Sequence, residues 1–200
     1  MTNPEPATFA FTPENLARAK AIIAKYPEGR QQSAVMPLLD LAQRQDGWVT
    51  RAAMETIADM LEMAPIRVEE VATFYTMYNR RPMGRHHVQV CTNICCQLRG
   101  SDGVGAAVKQ ELGVEWGETT EDGAFTLSEV ECLGACVNAP MMQVGDDYYE
   151  DLTPDGARAV LKALKQGDAP KPGPQNGRQF SAPEGGPTTL TDLPLGTEKA

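Results

Sequence analysis

Apolar residues recur every three or four positions through the first eighty residues, then every second position, and the change of period divides the chain. Thr12 suits an N-cap and Pro13 the first helical position, and Leu16, Ala19, Ile23 and Tyr26 follow at helical spacing as far as Pro27. Ser33 is placed to cap a second helix, with Val35, Leu38, Leu39 and Ala42 inward, Pro37 in its first turn and Gly47 past its end. Thr50 caps a third, carrying Met54, Ile57, Ala58 and Leu61. Pro65 opens a fourth, with Val68, Val71, Ala72, Tyr75 and Tyr78 along one stripe. Four short helices with brief loops predict a small bundle in which these stripes are core.

After Arg80-Arg81-Pro82 the texture changes. His86 to Cys91 alternates, with Val88 and Val90 on one side, and predicts a strand. Val104, Val108 and Leu112 form one face of a helix that ends at Gly113. Phe125 to Cys132 predicts a second strand, and Met141–Val144 with Tyr148–Glu150 a hairpin about Gly145-Asp146-Asp147. Thr153-Pro154 starts a last helix with Ala157, Val160, Leu161 and Leu164 inward. The fold class expected is α+β, in which the first strand and helix are the half able to pair in parallel. The divisions expected are an extension over 1–11, a helical bundle over 12–82, an α+β domain over 83–167 and a tail over 168–200. Eleven of the last 33 residues are Gly or Pro, and no apolar period survives there. Phe180, Leu190, Leu193 and Leu195 remain as spaced apolar positions, so the tail is expected to lie extended on a partner.

The 27 acidic and 18 basic side chains give a formal charge of −9, which argues against a nucleic-acid partner and against adhesion to an anionic membrane. No run approaches the ~18 apolar residues of a spanning helix, so membrane insertion is not expected. The opening residues lack the marks of a signal or transit peptide, and a cytosolic protein or a processed organellar one is expected.

All five cysteines fall in two clusters, Cys91-Thr92-Asn93-Ile94-Cys95-Cys96 and Glu131-Cys132-Leu133-Gly134-Ala135-Cys136-Val137-Asn138-Ala139-Pro140. An odd number of clustered thiols speaks for metal or redox chemistry rather than a disulfide framework. Two loops, each giving a close pair, supply the two thiolates per iron that a [2Fe–2S] cluster takes. Cys95 and Cys96 are adjacent, their side chains point apart, and spacing does not choose between them. Structural zinc loops favour Cys-x-x-Cys, whereas these pairs are separated by four and three residues. His86 and His87, which a Rieske centre would need, read as strand residues. Gly103-Val104-Gly105 opens like a dinucleotide fingerprint but lacks its third glycine, Val108 standing there, so NAD(H) is not expected on this chain.

The two cysteine motifs resemble those of the 24 kDa subunit family of respiratory complex I, the NADH:quinone oxidoreductase. So do Leu39-Asp40-Leu41-Ala42-Gln43-Arg44-Gln45, Glu70 to Arg80, Phe125-Thr126-Leu127, Tyr148 to Thr153 and Lys171-Pro172-Gly173-Pro174. The resemblance implies a thioredoxin-like [2Fe–2S] ferredoxin domain behind a helical bundle, with Cys91, Cys96, Cys132 and Cys136 as iron ligands and Cys95 spare. It implies a subunit without a substrate site of its own, exchanging single electrons with the FMN of a neighbouring flavoprotein subunit that binds NADH. The large iron–sulfur subunit of the same module would be a second partner. The location implied is the peripheral arm, on the cytoplasmic side of a bacterial inner membrane or the matrix side of an organellar one. The equivalent subunit of an NAD-linked formate dehydrogenase or hydrogenase, and a zinc-bound interaction module, are the competing readings.

Overall fold

Proline or threonine sets the start of three of the first four helices. In the computed structural model, which describes residues 5–186, 188, 189 and 191, α1 (Pro13–Ile23) starts at Thr12, whose Oγ1 accepts from the Asn15 N–H at 3.2 Å. α2 spans Val35–Asp46 and ends at Gly47, whose φ of 83° is the left-handed conformation that a Cβ disfavours. α3 (Arg51–Leu61) is capped by the buried Thr50, whose Oγ1 accepts from the Ala53 N–H at 3.0 Å. α4 is Pro65–Phe74.

Two expectations change here. Ser33 does not cap α2; it lies inside a 3-10 turn, Gln31–Ala34, that runs directly into the helix, and no side chain caps α2. The fourth helix stops before Tyr75, which turns extended, so the stripe breaks. Tyr78 is nevertheless buried, and its hydroxyl donates to the Met36 carbonyl at 2.9 Å. Leu38, Leu39, Ile57, Ala58 and Val68 fill the core of this unit, which takes in the described residues as far as Met83.

The described residues from Gly84 onward form the second unit around one mixed sheet in the order β2-β1-β3-β4-β5. Its strands are β1 (His86–Cys91), β2 (Phe125–Val130), β3 (Met142–Val144), β4 (Asp147–Glu150) and β5 (Gly173–Pro174). β1 and β2 are parallel, with Cys91 opposite Val130; β3 runs antiparallel to both β1 and β4. Such a parallel pair needs a crossover, and here it is made by α5 (Ile94–Leu98) and α6 (Ser101–Leu112). α7 (Pro154–Gln166) packs on α6. Val88, Val90, Val104, Val108, Leu127, Met142 and Leu161 close the core between sheet and helices. Gly105 is part of this packing, because a Cβ there would stand 3.2 Å from the Trp116 ring.

The tail is not without structure in its own chain. β5 joins the sheet beside β4 in parallel, Tyr149 opposite Gly173. Phe180, expected as an anchor, is 78% exposed, whereas the guanidinium of Arg178 is buried against Asp151. Leu190, Leu193 and Leu195 lie outside the described residues.

Candidate functional site

Both cysteine groups follow the C-terminal ends of neighbouring parallel strands, Cys91 closing β1 and Cys132 lying two residues beyond β2. The sheet therefore fixes the separation of the two loops. Polar contacts join them further on. The Thr92 N–H donates to the Val130 carbonyl at 3.1 Å, its hydroxyl to Glu129 at 2.9 Å, and the Asn93 amide to Glu131 at 2.6 Å. From the other side the Cys91 N–H donates to the Met141 carbonyl at 3.3 Å, and the Tyr148 hydroxyl holds the Leu133 carbonyl at 2.9 Å. Glu129 and Glu131 thus act as structural ties as well as charges, a role the sequence pattern did not show.

The thiols differ in their surroundings. Cys91 and Cys96 are buried with Ala139 and Met141, whereas Cys132 and Cys136 are exposed with sulfurs 3.4 Å apart. The Gly134 N–H points at the Cys132 sulfur from 3.4 Å and pulls that thiol below its ordinary range, helped by the Cys136 thiol. Gly134 has a φ of 84°, which lets the loop turn its amide inward. Burial, and then the neighbouring Cys91 thiol, push Cys96 up to about 12, against a bond from the Met141 backbone. Cys136 is pushed up to about 11, first by Cys132 and then by Cys95. Thiolates are what bind metal, so a metal or cluster held here would release protons on binding and be favoured by higher pH.

All four expected ligands are thus brought to one end of the sheet, and Cys95 stands beside Cys136 on the short α5. That helix was not expected: it has five residues and no side-chain cap at Asn93. His87 bonds Ser128 at 2.8 Å, and His86 lies against the Phe125 ring. Among the described residues no three His, Cys, Asp or Glu side chains are gathered to hold a single metal ion. Two thiol pairs, one from each loop and each receiving a backbone N–H, suit a binuclear cluster with two thiolates per iron.

Residues 19–165 match the family model of thioredoxin-like [2Fe–2S] ferredoxins. The chain belongs to this family. Relatives resemble it over most of its length. The mitochondrial NADH dehydrogenase [ubiquinone] flavoprotein 2 of Dictyostelium discoideum is 50% identical over 195 residues, 97% of this chain and 79% of that one. An NADH-quinone oxidoreductase subunit of Rhizobium meliloti is 53% identical over 189 residues, 93% and 69% respectively. Among solved structures, an NAD+-reducing [NiFe]-hydrogenase superposes with a TM-score of 0.57 at 15% identity. It covers 64% of this chain, which spans 22% of the hydrogenase chain. At that identity the likeness speaks for the fold alone.

Proposed function

We propose that this chain is the electron-transfer subunit of an NADH:quinone oxidoreductase. Cys91, Cys96, Cys132 and Cys136 hold one [2Fe–2S] cluster, and single electrons pass between this site and the FMN of an NADH-binding flavoprotein subunit. The observation that carries the reading is the meeting of two cysteine pairs at one sheet end in a chain half identical to such subunits. The cluster, when bound, supplies a one-electron couple.

The chain's own residues set the conditions for that couple. Glu129 and Glu131 oppose added negative charge at this end of the sheet, while the Gly134 and Met141 N–H groups favour it. Exposed apolar side chains flank the cysteine loops, with Ile94 64%, Val137 69% and Leu98 82% exposed. Such side chains at a redox site suit burial against a partner protein. The flavoprotein is the partner that fits them, and the large iron–sulfur subunit is the second. The chain carries no substrate site of its own in this reading, and it sits in the peripheral arm, on the cytoplasmic or matrix side. No helix among the described residues is long and apolar enough to cross a membrane.

The identity to NADH-quinone oxidoreductase relatives favours this reading over a formate dehydrogenase or hydrogenase subunit. Affinity purification of the full chain from its native host tests it. Recovery with an FMN-containing, NADH-oxidising subunit, two irons and two sulfides per chain, and a reduced-state spin-resonance signal are expected. Zinc in place of iron and sulfide, or recovery with hydrogenase or formate dehydrogenase subunits, would reject it.

A further inference from the structure

We infer that Arg178, carried by the tail, is a positioning residue for the second cysteine loop: residues 173–182 are a strap that holds Cys136 in place from behind. The inference rests on the reading of Cys136 as an iron ligand. It differs from a tail whose role is to lie on a partner, because these contacts are made within the chain.

The Arg178 guanidinium joins three segments. Its Nε and Nη2 donate to the two carboxylate oxygens of Asp151 at 2.7 and 2.5 Å. Nη2 also donates to the Val137 carbonyl at 2.8 Å, and Nη1 to the Ala182 carbonyl at 3.1 Å. The side chains are 9% and 3% exposed, so this is a buried, bidentate pair rather than a screened surface contact. Val137 is the residue after Cys136. A guanidinium is needed here, since a Lys ammonium has no planar fork to span a carboxylate and a carbonyl at once.

Further bonds run along the same line. The Asn138 amide donates to Glu150 at 2.7 Å and to the Phe180 carbonyl at 3.0 Å, linking loop, strand end and tail. The Asp151 N–H donates to the Asn138 carbonyl at 2.7 Å, and the Gln175 N–H to the Glu150 carbonyl at 2.9 Å. Pairing of β5 with β4 puts the tail in register for these contacts. A second tie, from Arg99 to Glu184, is more than half exposed and adds little. Without the strap, the Val137 carbonyl and the Asn138 side-chain amide would lose their tail partners, while Cys132, held through Leu133 by Tyr148, would keep its own support.

Amide exchange of the full cluster-free chain tests the strap without reference to ligation. In Arg178→Met, the Asn138, Ala139, Asp151 and Gln175 amides are expected to exchange at least about tenfold faster, with Arg178→Lys between it and wild type. The Val88 and Val90 amides of β1 serve as the control and are expected to be unchanged. Equal exchange in all three proteins, or a rise in the β1 amides as large as that in the loop, overturns the strap. In the cluster-loaded chain, Arg178→Met is expected to shift or broaden the reduced-state spin-resonance signal, and Lys to do so less. An unaltered signal overturns the positioning role even if the loop has loosened. A normal signal in Cys136→Ser would instead reject the ligand assignment on which the role depends.

Discussion

Serine in place of Cys91, Cys96, Cys132 or Cys136 removes a thiolate and offers a harder, weakly acidic oxygen. Each of these four variants is expected to lose most of the cluster's visible absorption on reconstitution, while Cys95→Ser retains it. A full loss in Cys95→Ser with retention in Cys96→Ser would reverse the assignment of the adjacent pair. In the helical unit the informative residue is Tyr78. Burial holds its phenol neutral and raises it to about 12, whereas an unfolded phenol ionises near ~10. Its contribution to stability is therefore whole below pH ~10 and is lost as the pH climbs to about 12. Tyr78→Phe, which also removes the bond to Met36, is expected to cost about 1 kcal/mol at neutral pH. It should also flatten the fall in the urea midpoint above pH ~10. A wild-type midpoint that holds steady through that window would contradict the burial argument.

Among the elements, those with a periodic apolar face were legible in the sequence, most plainly those that also have a threonine–proline start. α7 is the clearest case: the Thr153 Oγ1 accepts from the Gly156 N–H at 3.0 Å, Pro154 follows, and Ala157, Val160 and Leu161 are buried. Thr153→Ala is expected to destabilise the chain by about 1 kcal/mol and Thr153→Ser to restore it, read from urea unfolding. Elements too short to show an apolar period escaped. α5 is too short for a stripe and spends two of its five residues on cysteine. Ser33 looked like a cap because of its type and place, but continuous helical backbone from the 3-10 turn into α2 left it no terminus to cap. The β5 pairing is two residues of Gly-Pro, a composition that ordinarily marks a turn or coil.

Taken as a whole, the molecule shows why the cysteine loops were easier to read than their supports. Residue type and spacing announce a thiolate ligand, because few side chains do that chemistry. The supports are common polar residues, and Arg178–Asp151, Asn93–Glu131 and Tyr148–Leu133 become pairs only when the strands have brought distant segments together. The same supports predict the response to metal removal. Stripping iron with a chelator under reducing conditions should abolish visible absorption while leaving far-UV dichroism nearly unchanged. Wholesale loss of secondary structure would mean that metal, not the sheet, holds the loops together.

The parallel neighbours β1 and β2 also bear on biosynthesis. Thirty-five residues separate Cys96 from Cys132, so at roughly 5–20 residues per second the first thiols leave the ribosome some seconds before the second. Until that later strand has docked, the nascent chain offers half a binding site. On the proposed ligand set, all four thiols are assembled only after translation has passed the second motif.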